Sequence, residues 1–178
     1  MSKIQCQCAF CKNDSLDLVM DFGPNALAGG FLSVDQFEDE KFFRMRLCFC
    51  SLCFAVQIID QIPPDDLFKE YFYFSSSIKT LSNHFEEHAK KMTKRFLADP
   101  QKSSVLEFGC NDGILLKPLA QEKIGKVIGI DPATNVINSI KDENIITINN
   151  FLNISSAEQI IEDHGRVNLI FANNVYAH

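Results

Sequence analysis

Apolar and polar residues follow two different patterns along this chain of 178 residues. Up to residue 62, short apolar runs are separated by turn-forming residues, which predicts a small β-rich module. From residue 101 onward, short apolar runs alternate with amphipathic stretches, which predicts parallel strands joined by helices. We therefore divide the chain into an N-terminal module (1–62), a helical linker (63–100) and an α/β domain (101–178).

The same pattern predicts the bounds of individual elements. The strands of the N-terminal module are expected at 16–22, 44–49 and 54–59. Pro64 opens a short helix in the linker, and a longer helix follows at 81–98. The apolar stripe of that longer helix consists of Phe85, Ala89, Met92 and Phe96. The strands of the α/β domain are expected at 104–108, 126–130, 145–148 and 167–172, and its helices at 112–121, 134–141 and 155–163. The last helix begins with a sequence that resembles a capping box at Ser155.

Composition and charge narrow the function classes. With 46% hydrophobic and 22% charged residues, the chain is globular rather than disordered. Its net charge of -6 argues against a general nucleic-acid-binding protein. No apolar run is long enough to span a bilayer, and the N-terminus lacks the apolar core of a signal peptide. We therefore expect a cytoplasmic protein without a nucleic-acid or membrane partner, in which cysteines bind metal rather than form disulfides.

Two Cys-x-x-Cys pairs dominate the N-terminal module, Cys8 with Cys11 and Cys50 with Cys53. Each pair offers two thiolates, and four thiolates complete the tetrahedral site that Zn2+ prefers. Four protein ligands leave no open coordination position, so the predicted zinc is structural rather than catalytic. It would stabilise a module that is too small to depend on its apolar core alone.

Two further cysteines, Cys6 and Cys48, each precede a pair by two residues. They could serve as alternative ligands or bind a second ion. We favour the simpler interpretation that Cys48 packs as a small apolar residue in the strand at 44–49 and that Cys6 is incidental, because free cysteine is often just buried.

A glycine-rich loop between residues 109 and 113 joins the strand at 104–108 to a helix. A strand, a glycine loop and a helix N-terminus in this order form a cradle for a nucleotide-like ligand. Gly109 and Gly113 would let the backbone approach that ligand closely. Dinucleotide-binding loops have the pattern Gly-x-Gly-x-x-Gly. The middle glycine is absent here, which disfavours an NAD-linked dehydrogenase.

Polar side chains follow each strand of the predicted parallel sheet, where ligands of such sheets bind. In chain order these residues, with one aromatic ring among them, are Glu107, Asp112, Asp131, Asn149, Asn150, Phe151, Asn173 and Asn174. Asp131 stands where a carboxylate can accept hydrogen bonds from both hydroxyls of a ribose. Asn150 and Phe151 stand where an amide and a ring could hold an adenine.

With these residues assembled, the chain resembles the zinc-containing, S-adenosylmethionine (SAM)-dependent C-methyltransferases of deoxysugar biosynthesis. The segments that carry the resemblance are the cysteine pairs with residues 53–57, the aromatic stretch 71–76, the loop 106–113 with its Glu-x-Gly-x-x-x-Gly pattern, and 172–178. The resemblance implies a Rossmann-like class I methyltransferase sheet, of which this chain has the first four parallel strands, and SAM and Zn2+ as cofactors. The residues assigned to SAM are Glu107, Gly109, Asn111, Asp112, Gly113, Asp131, Pro132, Asn150, Phe151, Asn173 and Asn174.

The resemblance also implies a substrate class, nucleotide-linked 4-keto sugars. A base removes the proton beside the ketone, and the resulting enolate attacks the sulfonium methyl. By resemblance, Tyr73 would reach the sugar from the linker, and His178 would line the active site beside the transferred methyl. The alternatives are that Tyr73 packs between domains and that His178 is an exposed terminal residue.

Members of that family are longer than this chain and continue beyond a fourth strand. We therefore expect an N-terminal portion that binds SAM weakly and turns over little on its own. The outer edge of the last strand is expected to be apolar and unprotected, through Leu169, Ile170, Phe171 and Val175, and to pair in a homodimer or with a missing C-terminal portion. The alternative function is a non-catalytic binding module that acts through this edge.

A short match to a metalloprotease pattern lies in the linker helix. His84 and His88 with Glu87 fit His-x-x-Glu-His. A solvated charged helix face explains the same residues more simply, and we favour that interpretation.

Overall fold

The computed structural model describes residues 3–176, so His178 lies outside the described residues. The chain divides between Leu67 and Phe68 into two compact units. No helix within residues 3–176 is long and apolar enough to cross a membrane.

The first unit is an antiparallel sheet in the order β1-β2-β3-β4. Its strands are β1 (Lys3–Ile4), β2 (Leu16–Ala26), β3 (Phe42–Phe49) and β4 (Val56–Ile58). The predicted strands are all present, but β2 extends beyond its prediction because it continues through irregular pairing between Asp21 and Pro24. Arg46 of β3 donates to Asp60 in a bidentate ion pair at 2.6 Å, which ties β3 to the segment after β4.

The apolar core of this unit is very small. Its fully buried members are Cys8, Leu16, Cys48 and Cys50. The burial of Cys48 within β3 confirms the interpretation that this cysteine packs as a small apolar residue, whereas Cys6 lies half-buried against the same cluster. Most phenylalanines of the unit remain exposed. A core of this size leaves a unit of about sixty residues marginally stable, so a bound metal would add to its stability.

The second unit contains a parallel sheet in the order β7-β6-β5-β8. Its strands are β5 (Ser104–Phe108), β6 (Lys126–Ile130), β7 (Ile145–Ile148) and β8 (Leu169–Phe171). The first three have their predicted bounds, and β8 is shorter than predicted at both ends. Alternate side chains of β5 and β6 enter two separate apolar clusters, one on each face of the sheet. The sheet is therefore covered on both faces, as expected for a Rossmann-like architecture.

The helices are α1 (Pro64–Phe68), α2 (Lys79–Phe96), α3 (Leu116–Gln121), α4 (Thr134–Ile137) and α5 (Ile154–His164). The helix predicted from residue 112 begins four residues later, because the segment before it forms turns. The helix predicted to reach residue 141 ends at Ile137. The predicted capping box is displaced, because Asn153 is the N-cap residue of α5 and exchanges two hydrogen bonds with Ser156.

The apolar stripe of α2 is correct except at its last position. Ala89 is buried, and Phe85 and Met92 pack against the core of the second unit. Phe96 is instead 53% exposed, and the guanidinium of Arg95 lies 5.1 Å from its ring centroid. The helix ends at Phe96, so the chain turns there and Leu97 takes the buried position.

Strand β8 is an edge strand of this sheet within residues 3–176, as predicted, but its residues are not uniformly unprotected. Ile170 is 55% exposed, whereas Phe171 is only 7% exposed and its ring centroid lies 6.1 Å from that of His88. The prediction for Phe171 is therefore wrong, because side chains of a strand alternate between faces and α2 covers one of them.

The three residues of the metalloprotease pattern form no metal cluster. The rings of His84 and His88 stack with centroids 5.9 Å apart, and exposed Glu87 forms an ion pair with Lys91. Among residues 3–176, the metal-ligand cluster found is that of four cysteines in the first unit.

Candidate functional site

The two cysteine pairs adopt the same local backbone structure. The backbone carbonyl of Cys8 accepts a hydrogen bond from the amide of Lys12 at 3.1 Å, and the backbone carbonyl of Cys50 accepts one from the amide of Phe54 at 2.8 Å. Both donor residues have a left-handed φ of 63°. Each pair therefore lies in a tight turn that holds both of its thiols on one side, as metal-binding knuckles require.

The four sulfur atoms lie close enough together to bind one metal ion. Sγ of Cys8 lies 3.7 Å from Sγ of Cys53, and Sγ of Cys11 lies 3.6 Å from Sγ of Cys50. All four atoms lie within 4.8 Å of one another. A tetrahedral Zn–S4 centre has S···S edges of about 3.8 Å. The donor set and its spacing therefore fit zinc.

Hydrogen-bond donors favour the thiolate form at two of the four sulfurs, those of Cys8 and Cys50. At Cys11 the backbone amide of Asn13 lowers the pKa, but desolvation and the neighbouring sulfurs outweigh it and raise that pKa to about 12. The backbone amide of Cys11 and then the side chain of Gln57 lower the pKa of Cys8 to about 6, against an opposing effect of desolvation. Nε2 of Gln57 lies 3.1 Å from Sγ of Cys8, and Nδ2 of Asn13 lies 3.6 Å from Sγ of Cys50. The sequence did not predict that the side chains of Gln57 and Asn13 belong to the site. Nothing in the sequence marks them except that they lie near the Cys-x-x-Cys pairs.

The glycine loop after β5 turns back sharply at the end of the sheet. The amide of Gly109 donates to the carbonyl of Ile130 at 2.8 Å, and Gly109 and Gly113 have φ values of 64° and 76°. Asn111 also has a left-handed φ, of 50°. A Cβ at position 109 would lie 2.3 Å from a methyl carbon of Val175, so only glycine fits there without rearrangement.

Asp131 lies at the end of β6, beside this loop. Its carboxylate accepts hydrogen bonds from the amides of Asn111 at 2.8 Å and Ala133 at 2.9 Å, one on each oxygen. The group is only 7% exposed, and desolvation raises its pKa. Each carboxylate oxygen can accept more than one hydrogen bond, so both retain capacity for a ligand.

Glu107, at the end of β5, is the most unusual polar group of the unit. It is 3% exposed, and Oε1 accepts a hydrogen bond from Nδ2 of Asn173 at 3.0 Å. Oε2 is buried and has no hydrogen-bond partner among the described residues. Desolvation raises the pKa of Glu107 to about 8. An unsatisfied buried carboxylate oxygen is costly, and a cationic group of a ligand would satisfy it.

Asn111 and Asp112 direct their side chains to the segment before α2. The carboxylate of Asp112 is buried and accepts hydrogen bonds from the amide of Ser76 at 3.0 Å and from its hydroxyl. Oδ1 of Asn111 accepts from the amide of Ser75 at 3.0 Å. Tyr73 lies in this segment with its side chain 44% exposed. The structure therefore brings the predicted tyrosine segment against the predicted cofactor loop.

Asn149, directly after β7, binds the backbone at the start of the loop that contains Asp131 and Pro132. Nδ2 of Asn149 donates to the carbonyls of Asp131 and Pro132, both at 3.0 Å. Asn150 is exposed and its side chain accepts from the amide of Phe151 at 2.8 Å. After β8, Asn174 has a left-handed φ of 53° in a turn. Every predicted cofactor residue that the structure describes thus lies either at the carboxyl end of a strand of this sheet, as Glu107 does in β5, or on the loop that follows such a strand.

Two family models match the chain. One, described as "Putative zinc binding domain", matches residues 8–68. The other, described as "Methyltransferase domain", matches residues 81–178, which is more than half of the chain.

Two individual proteins illustrate the similarity. The C-methyltransferase NovU of Streptomyces niveus is 29% identical over 174 residues, which are 97% of this chain and 41% of that protein. The chain thus spans about two fifths of the length of this curated relative. The crystal structure of the plantazolicin methyltransferase BpumL, in complex with a monoazolic desmethylPZN analog and SAH, is 21% identical with a TM-score of 0.32. That match covers 38% of this chain and 27% of the other, and such a score does not establish a common fold.

The methyltransferase domain indicates SAM as the methyl donor, and the four-cysteine cluster identifies the metal as zinc. The residues present fit both groups, because four sulfurs have zinc spacing and a buried carboxylate lacks a partner beside a glycine-lined loop. The chain belongs to the methyltransferase-domain family and carries a zinc-binding domain ahead of that domain.

Proposed function

We propose that this chain is the zinc module and the cofactor-binding part of a SAM-dependent C-methyltransferase that acts on a nucleotide-linked 4-keto deoxysugar. The carbon acceptor is supported by the relative named as a C-methyltransferase. The cofactor site is supported by one observation above the others: two buried carboxylates, Glu107 and Asp131, end adjacent parallel strands on either side of a glycine loop.

The two carboxylates have different tasks in this proposal. Asp131 would hold the ribose hydroxyls, because both of its oxygens can accept a further hydrogen bond. Glu107 would face a cationic group at the methionine end of the cofactor, because its free oxygen needs such a partner. Gly109 and Gly113 would let the backbone come close to the cofactor, with Asn173 and Asn174 near the same end. Pro132, Asn150 and Phe151 would bound the adenine.

Asn111 and Asp112 belong to the cofactor loop but act through the loop's shape. The amide of Asn111 holds Asp131, while its side chain and that of Asp112 hold the segment that carries Tyr73. Tyr73 would contact the sugar. His178, which lies outside the described residues, would line the same active site.

When bound, SAM supplies an electrophilic methyl group to a carbon nucleophile. The ketone of a 4-keto sugar acidifies the neighbouring C–H bond, so removal of that proton generates an enolate as the nucleophile. The contribution of this chain is then to orient the two reactants and to exclude water from them. We expect little turnover from this chain alone.

Calorimetric titration of the zinc-loaded chain with SAM tests the proposal. The wild-type chain should bind SAM, and Asp131→Asn should weaken binding about tenfold, because hydrogen bonds to a charged acceptor are stronger than those to a neutral one. The matched control is Asp163→Asn, since Asp163 is an exposed residue of α5 far along the chain from the loop.

Binding that is equally strong in both variants would remove Asp131 from the site. A folded wild-type chain that binds neither SAM nor S-adenosylhomocysteine would favour the non-catalytic binding module instead. Methyl transfer is checked separately by mass spectrometry, with a 4-keto-6-deoxyhexose linked to a nucleoside diphosphate as the acceptor.

A further inference from the structure

Residues 69–77, here called the aromatic strap, form an irregular segment that precedes α2. The strap contains four consecutive aromatic residues, all exposed by more than a third, and one short 3-10 helix at Ser75–Ser77. Its rings are only partly buried, so apolar burial does not fix its position alone. Hydrogen bonds from other parts of the second unit also hold it.

The N-terminal half of the strap is held by the first residues of α4. Oδ1 of Asn135 accepts a hydrogen bond from the amide of Tyr71 at 3.1 Å, and Nδ2 of Asn135 donates to the carbonyl of Tyr71 at 2.8 Å. The amide of Thr134 donates to the carbonyl of Lys69 at 3.1 Å. The carboxamide of Asn135 thus satisfies both backbone groups of one strap residue, as a neighbouring strand would.

The C-terminal half is held in the same manner by the cofactor loop. Nδ2 of Asn111 donates to the carbonyl of Tyr73 at 2.9 Å, and its Oδ1 accepts from the amide of Ser75 at 3.0 Å. Two asparagine carboxamides therefore clamp the strap on either side of Phe72. Tyr71 and Tyr73 are themselves held by the clamps through their backbone groups, and their rings are in edge-to-face contact with centroids 6.5 Å apart.

Both clamps are continuous with the residues around Asp131. Asn111 donates its backbone amide to the Asp131 carboxylate. On the other side, Thr134 donates its hydroxyl to Asn149 at 2.8 Å, and Asn149 donates to the carbonyl of Asp131. The hydrogen bonds around Asp131 therefore reach both anchors of the strap, through its carboxylate on one side and its backbone carbonyl on the other.

We propose that Asn135 is a positioning residue for the methyl acceptor: it sets the position of Tyr71 and Tyr73 and links the order of the strap to occupancy of the cofactor site. This inference rests on the proposed function. Asn135 touches neither the cofactor nor the acceptor in this scheme and acts only through the strap backbone. Asn111 makes the equivalent clamp, but it lies in the glycine loop that would hold the cofactor. A substitution of Asn135 therefore separates an effect on the strap from an effect on the cofactor site better than a substitution of Asn111 does.

The test compares Asn135→Ala and Asn135→Asp with wild type in the full chain. Alanine removes both hydrogen bonds, whereas aspartate keeps the acceptor for the Tyr71 amide and loses the donor. The control is Asn138→Ala, an exposed position at the end of the same helix. Hydrogen exchange of peptides that cover residues 69–77 is measured with and without SAM, together with the affinities for SAM and for the nucleotide-linked 4-keto-6-deoxyhexose.

In Asn135→Ala, exchange of the strap amides should become about tenfold faster, and SAM should no longer slow it. Acceptor affinity should fall about tenfold while SAM affinity stays within twofold of wild type. Asn135→Asp should lie between alanine and wild type, and Asn138→Ala should match wild type.

Unchanged strap exchange in Asn135→Ala would overturn the clamp, and so would a loss of SAM affinity as large as that of acceptor affinity, because Asn135 would then belong to the cofactor site. If the wild-type chain binds no SAM, the proposed function fails together with the acceptor role. That failure is recognisable because it appears in wild type, whereas failure of the clamp appears only when the variant is compared with a wild type that binds SAM.

Discussion

Removal of zinc should unfold the first unit and leave the second unit folded. The buried core of the first unit consists of Leu16 and three cysteines, two of which belong to the metal cluster. Structural zinc in small peptides has an apparent binding free energy of about 10–16 kcal/mol. This is as large as the whole stability of a typical domain, about 5–15 kcal/mol. Without zinc, little remains to hold the sheet together.

The measurement is limited proteolysis and NMR of the full chain before and after chelation. Chelation should make the segment up to residue 67 sensitive to protease and should reduce the dispersion of its amide chemical shifts. The amide signals of β5 to β7 should be unchanged. Cys50→Ser should abolish zinc binding and give the same result without a chelator. A chelated chain whose first unit kept its dispersed shifts would show that the sheet folds without metal.

The control for that experiment is Cys6→Ser. Cys6 is a half-buried thiol next to the cluster but outside the group of four. This variant should retain one zinc per chain and normal protease resistance. Loss of zinc from Cys6→Ser would instead make Cys6 an alternative ligand.

Binding of SAM should release a proton from Glu107, and the affinity should rise with pH up to about 8. Burial raises the pKa of this carboxyl to about 8 in the structure without ligand. A cationic partner beside Oε2 favours the ionised form and lowers that pKa. Below pH 8 the cofactor must therefore displace a proton to bind. The apparent affinity should fall roughly fiftyfold between pH 8 and pH 6.

The same shift makes the ligand-free protein less stable at high pH. The pKa of Glu107 is higher in the folded state than in the unfolded chain, so the folded state retains a proton that the unfolded chain has lost. The contribution of this group to stability is complete below the unfolded value, 4.5, and is lost as pH rises towards about 8.

Glu107→Gln distinguishes this effect from titration of the cofactor itself. Glutamine preserves the shape of the side chain and an acceptor for Asn173, but it cannot ionise. Calorimetry in buffers of different ionisation enthalpy should show proton release in wild type below pH 8 and none from this residue in the variant. The variant's affinity should be weaker at pH 8 and should lose the part of the pH dependence that comes from residue 107. Equal pH dependence in the two proteins would remove Glu107 from the cofactor site.

Strands β5, β6 and β7 could be predicted to the residue because each is a short, mainly apolar run bounded by turn residues, and β5 and β6 are buried on both faces. The glycine loop and Asp131 followed from those bounds, since ligands of parallel sheets bind beyond the strand ends. The four-cysteine cluster was predictable for a different reason: Cys-x-x-Cys spacing is itself a geometric requirement of the metal.

What sequence reasoning missed depends on contacts between distant residues. The late start of α3 accompanies hydrogen bonds that Ser76 donates to the carboxylate of Asp112, 36 residues further along the chain. The pairing of Asn135 with Tyr71 spans 64 residues. Neither asparagine nor serine signals its partner in the local pattern, because both types are equally common in exposed turns. The exposure of Phe96 was missed because it depends on where α2 ends, and helix ends are set by the surrounding chain.

The contact between Gly109 and Val175 limits how this chain can diverge. The methyl groups of Val175 occupy the space that any side chain at position 109 would need. A larger residue at 109 could arise only after 175 had become smaller, and its left-handed backbone would still oppose the change. We therefore expect positions 109 and 175 to covary in homologous sequences. The residues that the glycine loop can accept at position 109 then depend on which residue stands at position 175, after β8.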